Sequence, residues 1–366
     1  MRAAAAAAGA GLAVAVLAGA SGAGAASAPG APAVAHAAAI TTGYQVKGQL
    51  YGVAATSPRN AWAVGTRLSS GAVPMTLLLH WNGTKWAEVT SPKPVPGKLS
   101  AVTATSADNA WAVGQTGTPK GYTTSYALHW NGKAWSVQQC PAPVRYAYYT
   151  SVAASGSDAW ITGVSTGQTD VTPPGTIAVH RTGGRWQSTT VPGAVQYVLR
   201  GVAFSGKTAA WAVGAYGRSG IIMHWTGTQW KVAGRLFDSL PEAVTSGPWG
   251  HAWLVGHDPA TVNGEGGISQ HWNGKTWSWV AVPHETGSLL HGVAYFPGGT
   301  VWAVGYRWPA NVSVILRWTG KAWTQVPGPA GRQLRAVAGD TANDGWAVGD
   351  NGKVTTILHW NGKAWR

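Results

Sequence analysis

The sequence predicts an all-β protein, a seven-bladed β-propeller with four antiparallel strands in each blade. A tryptophan-rich unit occurs seven times, and each copy contains the turn signals of four short strands. Successive copies of its central tryptophan are 42 residues apart at the shortest, from Trp211 to Trp253, and 51 at the longest, from Trp160 to Trp211. Four strands in a unit of about 40–50 residues is the period of a propeller blade.

Residues 1–39 are predicted to be a signal peptide followed by an Ala/Pro-rich segment. Arg2 precedes an apolar run, and small residues follow, which is the layout of a secretory signal. Cleavage after Ala25, Ala28, Ala35 or Ala39 would fit. No second apolar stretch reaches the ~18 residues of a membrane span. The sequence therefore predicts a secreted, extracellular protein without a transmembrane segment. Association of this protein with a cell wall is compatible with the prediction.

Residues 40–366 are predicted to form the propeller, and its repeats start near residues 50, 99, 150, 199, 242, 290 and 334. Strand A reads L-x-[GA]-V-A and strand B reads A-W-A-V-G. Strand C is an apolar run that ends in His-Trp, and strand D reads K-x-W. Asn-Gly between strands C and D favours a tight hairpin, because both residues accept a positive φ. Residues 40–46 belong to no repeat, and we expect them to pair with blade 7 and to help close the ring.

The recurrent tryptophans and histidines are predicted to be structural. Twenty of the 23 tryptophans occupy repeat positions and should fill the core, the exceptions being Trp249, Trp279 and Trp308. One histidine precedes the C–D turn in six copies, and Arg317 replaces it in the sixth copy. A metal site needs three or four converging ligands, so one histidine per blade favours structural hydrogen bonding. No metal and no cofactor are predicted, and the single cysteine, Cys140, should be a buried apolar residue.

The charge of the chain favours acidic partners. Lysine and arginine number 26 against 12 aspartates and glutamates, a formal net charge of +14. Such a field attracts an anionic glycan, a cell-wall polymer or an acidic protein, although it also serves solubility alone. The basic residues are spread along the chain and no nucleic-acid motif occurs, so nucleic acid is not an expected partner. A monomer is expected.

Candidate ligand-binding residues are predicted on the face that carries the B–C and D–A loops. These loops vary between copies, whereas the A–B and C–D turns are short and uniform, and variable loops on a uniform scaffold usually carry function. The residue after the first position of strand A also varies and should line the mouth of the central channel. The seven residues at this position are Tyr51, Ser100, Thr150, Arg200, Glu242, His291 and Arg335. The loop candidates are His257, Asp258, Glu265, Tyr306, Arg307 and Trp308.

These side chains suggest what the site would bind. Arg200 and Arg335 favour an anionic group, while Glu242 and His291 accept or donate hydrogen bonds to hydroxyl groups. Acidic residues are concentrated in the loops of copies 5 and 6, where the sequence has Asp238, Glu242, Asp258, Glu265 and Glu285, with His257, His284 and His291. Two facing carboxylates could hydrolyse a glycoside, several oxygens could bind calcium, or the loop could simply be solvated. No catalytic motif matches.

The repeat resembles those of known propeller families over residues 46–366. Hydrophobic-W-A-V-G followed by H-W-N-G-x-x-W resembles a kelch-type repeat and the repeats of secreted actinobacterial propeller proteins of unassigned role. The W-N-G-x-x-W hairpin is also similar to that of seven-bladed bacterial fucose-binding lectins. The chain departs from kelch by having one glycine after strand B, and the copper-site residues of the galactose-oxidase group have no counterpart. The resemblance implies a propeller fold and carries function only by analogy.

The leading interpretation is a secreted, non-enzymatic binding propeller. Its ligand would be a glycan, a cell-wall polymer or a protein, bound on the B–C/D–A face. An extracellular carbohydrate-active enzyme, a hydrolase or lyase with its site at the channel mouth, is the alternative. A purely structural surface protein is a third interpretation.

Overall fold

The computed structural model describes residues 44–68, 74–92, 96–117, 123–140, 147–165, 175–194, 196–259, 266–283 and 287–366. These residues form seven separate antiparallel sheets, and each sheet is one blade of a β-propeller. The innermost strands, strands A, contact one another around the axis, and that of blade 7 contacts that of blade 1. The predicted fold class is therefore confirmed. No helix in the described ranges has the length and apolar character that crossing a bilayer requires.

The first four blades each contain four strands. Blade 1 consists of β1 (Gly48–Ser57), β2 (Asn60–Leu68), β3 (Pro74–Trp81) and β4 (Trp86–Glu88). Blade 2 consists of β5 (Gly97–Ser106), β6 (Asn109–Gly117), β7 (Thr123–Trp130) and β8 (Trp135–Gln138). Blade 3 consists of β9 (Ala147–Ser155), β10 (Asp158–Ser165), β11 (Gly175–Thr182) and β12 (Arg185–Ser188). Blade 4 consists of β13 (Val198–Phe204), β14 (Ala210–Tyr216), β15 (Ser219–Trp225) and β16 (Trp230–Phe237).

The remaining blades follow the same order. Blade 5 consists of β17 (Leu240–Ser246), β18 (Ala252–His257), β19 (Gly267–Trp272) and β20 (Trp277–Trp279), with a 3₁₀ turn at Pro248–Gly250 between β17 and β18. Blade 6 consists of β21 (Ser288–Phe296), β22 (Thr300–Arg307), β23 (Val312–Trp318) and β24 (Trp323–Gln325). Blade 7 consists of β25 (Gln333–Thr341), β26 (Asp344–Asp350) and β27 (Thr355–Trp360).

The position of strand D in blade 7 is taken by the residues that follow β27. Trp365 forms an isolated antiparallel bridge with Trp360. The backbone N–H of His359 donates to the carbonyl of Arg366 at 2.7 Å, and the reverse bond is 2.9 Å long. A short strand-like segment therefore covers this part of the edge of β27.

The other end of the same edge is covered by residues that precede β1. Lys47 forms an antiparallel bridge with Val354, and the N–H of Thr355 donates to the carbonyl of Val46 at 2.9 Å. Val46 and Lys47 therefore pair with blade 7 before the chain enters blade 1. Residues 40–43 of the segment that we expected to pair there lie outside the described residues.

An aromatic cluster around the strand-B tryptophan joins each blade to the next. Trp62 is fully buried, and its ring stacks on His80 of the same blade with 4.2 Å between centroids. The same ring contacts Trp130 and Trp135 of blade 2 at 5.1 and 4.9 Å. Tilted and edge-to-face aromatic pairs attract beyond their buried area. These contacts therefore stabilise the interface between blades as well as the core.

The same kind of cluster closes the ring between blades 7 and 1. Trp346 contacts Trp81 and Trp86 at 4.9 and 5.0 Å between centroids. At the interface of blades 2 and 3 an arginine replaces one tryptophan, and the Arg181 guanidinium lies 5.1 Å from the ring centroid of Trp111. A cation over an indole face is a favourable substitute for an aromatic ring.

The exposure of the tryptophans separates repeat positions from the rest. All twenty repeat tryptophans are buried or half-buried, as the sequence predicts. The three outside the repeat are exposed, with 86% for Trp249, 58% for Trp279 and 50% for Trp308. The recurrent indoles are therefore core residues and do not form a row of surface stacking platforms.

The recurrent histidines pack against the strand-B tryptophan of their own blade, and His80, His129, His271 and His359 also hydrogen-bond to the A–B turn. These contacts confirm the predicted structural role. His80 Nε2 lies 2.8 Å from Oδ1 of Asn60, and His359 Nε2 lies 2.7 Å from Oδ1 of Asp344. Burial lowers the pKa of His80, so its ring is uncharged at neutral pH. In blade 6 the guanidinium of Arg317 lies over the strand-B indole, 5.7 Å from its centroid.

A β-bulge interrupts strand A at the same position in every blade. In blade 1 the register passes from Leu50 opposite Gly65 to Gly52 opposite Val64, so Tyr51 has no partner on β2. The other six blades show the same irregularity. A bulge redirects the side chain of its extra residue. In this propeller each extra residue faces the central axis.

The glycine that ends the strand-B motif makes room for the bulge. A Cβ atom on Gly65 would overlap the carbonyl oxygen of Gln49 on β1, and the corresponding overlap occurs in all seven blades. The glycines concerned are Gly65, Gly114, Gly163, Gly214, Gly256, Gly305 and Gly349. The small residue after the bulge lets strands A approach each other, because a Cβ on Gly52 would lie only 3.0 Å from the Cα of Ala101.

The aromatic clusters predict the effect of removing an indole. Trp62→Ala should lower the free energy of unfolding by about 3–5 kcal/mol, as large aromatic deletions from cores do. Trp279→Ala, which removes an exposed indole, should change it by less than about 0.5 kcal/mol. Chemical denaturation of both variants measures the difference. Equal stability of the two variants would contradict the assignment of Trp62 to the core.

The bulge predicts a contrast between two glycines on the same strand, β6. Gly114→Ala should destabilise by about 1–3 kcal/mol or more, because the new methyl group meets the strand-A backbone. At Gly117 no atom lies within 4 Å of an added Cβ, so Gly117→Ala should fold like the parent. Thermal and chemical unfolding of the two variants test this, and an unchanged Gly114→Ala protein would refute the role of the strand-B glycine.

Candidate functional site

The seven bulge residues line a cavity of about 200 Å³ around the propeller axis. They are Tyr51, Ser100, Thr150, Arg200, Glu242, His291 and Arg335, the position predicted to line the channel. Two residues further along each strand A the cavity wall is valine in every blade, at Val53, Val102, Val152, Val202, Val244, Val293 and Val337. The seven bulge side chains therefore form a mostly polar ring on the side of the B–C and D–A loops. An apolar layer of valines follows this polar ring along the axis.

Arg335 is bound by other groups of the protein. Its Nε donates to Oδ2 of the fully buried Asp350 at 3.0 Å, and Nη2 donates to Oε1 of Gln333 at 3.1 Å. The other oxygen of Asp350 accepts the N–H of Gly352 at 2.8 Å. The guanidinium also lies over the ring of Tyr51, 5.4 Å from its centroid. The charge of Arg335 is thus compensated by Asp350, which sequence reasoning did not identify.

Arg200 faces Glu242 at a longer distance. Nε of Arg200 lies 3.5 Å from Oε1 of Glu242, beyond the ~2.7–2.9 Å of a charge-assisted hydrogen bond. The side chain of Arg200 is 41% exposed and that of Glu242 is 15% exposed. Burial raises the pKa of Glu242 to about 7, and the nearby Arg200 guanidinium only partly opposes this rise. Near neutral pH this carboxyl is therefore present in both protonation states.

Two uncharged imidazoles lie beside this pair. The rings of His257 and His291 are 6.1 Å apart, and His291 stacks on Tyr306 at 5.3 Å. Burial lowers the pKa of His291 to about 3, and the charge of Arg335 contributes to the shift. Nδ1 of His257 and Nε2 of His291 are buried without a hydrogen-bond partner in the described part of the chain. Unpaired buried polar atoms cost free energy, so a ligand that bonded to them would gain affinity.

Lys98 is a further cation of the site that sequence reasoning missed. Its Nζ lies 5.3 Å from the ring centroid of Tyr51. Burial lowers the pKa of Lys98, and the charges of Arg335 and Arg200 lower it further. The sequence did contain a signal for Lys98. It stands two residues before the bulge residue Ser100 on the same strand. The residue after the strand-B glycine is His257 in the fifth copy, Tyr306 in the sixth and Asp350 in the seventh. Comparison of the seven copies at this position would have identified Asp350.

The loop candidates are distributed around this centre. His257 and Tyr306 lie against His291, whereas Arg307 and Trp308 follow Tyr306 at the end of β22 and in the next loop. Asp258 lines a separate groove with Asp238 and Trp279. Glu265, His284 and Glu285 lie outside the described residues. The structure thus brings together Arg200, Glu242, His257, His291, Tyr306 and Arg335.

No protein-family model matches this chain, and no curated protein matches it. Its fold is similar to that of YCF48 bound to a D1 peptide, with 16% identity and a TM-score of 0.58 over 90% of this chain and 99% of that one. It is also similar to virginiamycin B lyase from Staphylococcus aureus, with 14% identity and a TM-score of 0.56 over 86% and 98%. A third similar structure is a putative 6-phosphogluconolactonase from Bacteroides uniformis, with 14% identity and a TM-score of 0.55 over 82% of this chain and 92% of that one.

These similarities support the propeller fold and no narrower family. At such identities, proteins with one fold carry unrelated functions, and these three structures differ in function by their own descriptions. The function of this chain therefore has to be argued from its own channel residues.

The two arginines of the channel should differ in their effect on stability. Arg335→Ala leaves Asp350 buried without its cation and should cost about 3 kcal/mol, whereas Arg200→Ala should cost less than about 1 kcal/mol because that pair is partly solvated. Adding Asp350→Asn to Arg335→Ala should recover part of the loss. Chemical denaturation measures all three, and a fully stable Arg335→Ala protein would refute the structural role of this pair.

Proposed function

We propose that this chain is a secreted, non-enzymatic binding protein whose ligand enters the channel mouth from the B–C/D–A face. The observation that carries the proposal is the polar ring itself. Seven bulges at one position of strand A present six kinds of side chain to one small cavity. Beside it, two buried histidine nitrogens have no hydrogen-bond partner among the described residues. Groups that converge on a cavity with perturbed pKa values are typical of functional sites.

The ligand would carry an anionic group and belong to a larger molecule. Arg200 and Lys98 supply positive charge in a chain of net charge +14, which favours an acidic glycan, a cell-wall polymer or an acidic protein. The loop face also displays exposed aromatic side chains that could stack on sugar rings or contact a protein. These are Tyr216, Phe237, Trp279 and Trp308. Extracellular location is part of the proposal and rests on residues 1–39.

A carbohydrate-active enzyme is the second candidate, and Glu242 is the observation that favours it. A carboxyl with a pKa near 7 suits general acid–base chemistry at neutral pH. Glycoside hydrolysis ordinarily uses two carboxyl groups. Among the described residues, the carboxylate of Asp350 beside the ring is already bound to Arg335 and Gly352. Binding is therefore the better-supported function.

Binding by the purified protein is tested on immobilised acidic and neutral glycans, teichoic acids and peptides at low salt, where exposed charges act most strongly. Arg200→Ala should weaken binding of the best ligand roughly ten- to hundredfold, as expected for loss of a charged hydrogen bond. Lys207→Ala removes an exposed cation from the opposite face of the same blade and should bind like the parent. Parent-like affinity of a normally melting Arg200→Ala protein would place the site elsewhere.

A further inference from the structure

The two arginines of the channel ring are held in different ways, although both occupy the bulge position. Arg335 makes a 3.0 Å bond to a carboxylate that is fully buried and fixed by a backbone N–H. Arg200 lies 3.5 Å from its carboxylate and is 41% exposed. Of these two cations, Arg200 is the one that an incoming group can reach and whose present partner can be replaced.

The surroundings of Glu242 make its charge costly once Arg200 is engaged elsewhere. Glu242 is mostly buried within the polar ring, and the charge of Arg200 opposes its protonation. The other ionisable groups around Arg200 are Lys98, His257, His291 and, with its own counter-ion, Arg335. Both imidazoles have lowered pKa values and are uncharged above neutral pH. Among the carboxyl and imidazole groups of this set, Glu242 is therefore the one whose pKa lies near 7.

We propose that an oxyanion entering the channel mouth takes Arg200 from Glu242, and that Glu242 binds a proton from solvent as it is displaced. The inference rests on the proposed function and deepens it, because it names the chemical group recognised and the internal group that competes with it. Glu242 acts as a built-in substitute for the ligand. The one bond that forms is the O–H bond of the Glu242 carboxyl, with a proton released by water or buffer. Where Glu242 is charged before binding, one proton is therefore taken up for each anion bound.

This exchange fixes the direction of the pH dependence. Below pH 7 the carboxyl of Glu242 is already protonated, so Arg200 is available and affinity for the anion is highest. Above pH 7 the anion has to displace a charged carboxylate and bring a proton with it. The dissociation constant should then rise up to about tenfold per pH unit, the limit for one linked proton.

The titration of Glu242 can be observed directly. The chain contains four glutamates, Glu88, Glu242, Glu265 and Glu285, so ¹³C labelling of glutamate carboxyl groups gives few signals, and Glu242→Gln identifies the relevant one. Without anion this signal should titrate near pH 7. With saturating glucuronate its midpoint should move upward. An ordinary midpoint near 4.5, or a midpoint that the bound anion leaves unchanged, would overturn the inference.

Calorimetry measures the proton that accompanies binding. Glucuronate and inorganic phosphate are titrated at pH 8 in HEPES and in Tris, whose different ionisation enthalpies reveal proton uptake. The parent should take up close to one proton per anion, and the comparison of probes separates carboxylate from phosphate recognition. Glu242→Gln should bind at least as tightly at pH 8, without proton uptake. Glu88→Gln, which alters the surface pair with Arg67, should behave like the parent.

The outcomes separate this inference from the proposed function. If Arg200→Ala abolishes anion binding but the parent takes up no proton, the site is correct and the exchange with Glu242 is wrong. If Glu242→Gln keeps the proton uptake, another group such as Lys98 or a histidine takes the proton, and the inference is likewise wrong. If neither anion binds the parent, or if Arg200→Ala binds them unchanged, the anion site and the exchange both fail.

Discussion

In the described part of the chain the seven sheets share no hydrogen-bonded ladder, so neighbouring blades are joined mainly by side-chain packing and close backbone contacts. The strand-B indole stabilises the interface between each blade and its neighbour. It stacks on its own histidine and contacts the hairpin aromatics of the next blade, and between Trp346 and Trp81 the same contact joins the last blade to the first. With a single cysteine in the sequence, no disulfide within the chain supports the closure. The indoles supply most of the largest buried side chains, and leucine, valine and isoleucine of the strands fill the rest of the core.

The bulge and the strand-B glycine separate the scaffold from the site. A regular ladder would place the second residue of strand A opposite a partner, where its side chain would have to pack. The bulge removes that partner and turns the side chain toward the axis, and the glycine at Gly65 and its equivalents allows the displaced backbone to fit. Because the strand ladder does not depend on the bulged side chain, tyrosine, serine, threonine, arginine, glutamate and histidine all occupy the position. Arg335 is a bulged side chain that has become structural, since it neutralises the buried Asp350 of its own blade.

The parts of the structure that repeat were readable from the sequence. Seven copies of one motif established the fold, the burial of the tryptophans and the role of the histidines, and comparison of the copies found the ring that lines the cavity. Interactions that occur once could not be obtained in this way. The bond between Arg335 and Asp350 joins two different repeat positions within one blade, and the raised pKa of Glu242 results from desolvation that depends on neighbouring blades. The roles assigned to Glu265 and the other residues outside the described ranges stay predictions.

The valine layer beneath the polar ring determines how a long molecule can approach. A polar chain passing along the axis would exchange water for hydrocarbon at Val53 and its six equivalents, where no side chain offers a hydrogen bond, and desolvating polar groups without compensation is unfavourable. Threading through the propeller is therefore disfavoured, and only a tip or a short branch gains from entering. Under the proposed binding function, a site of this shape would bind a polymer by its ends. It would favour a polymer with many short, acid-terminated branches over an unbranched one of equal mass and charge.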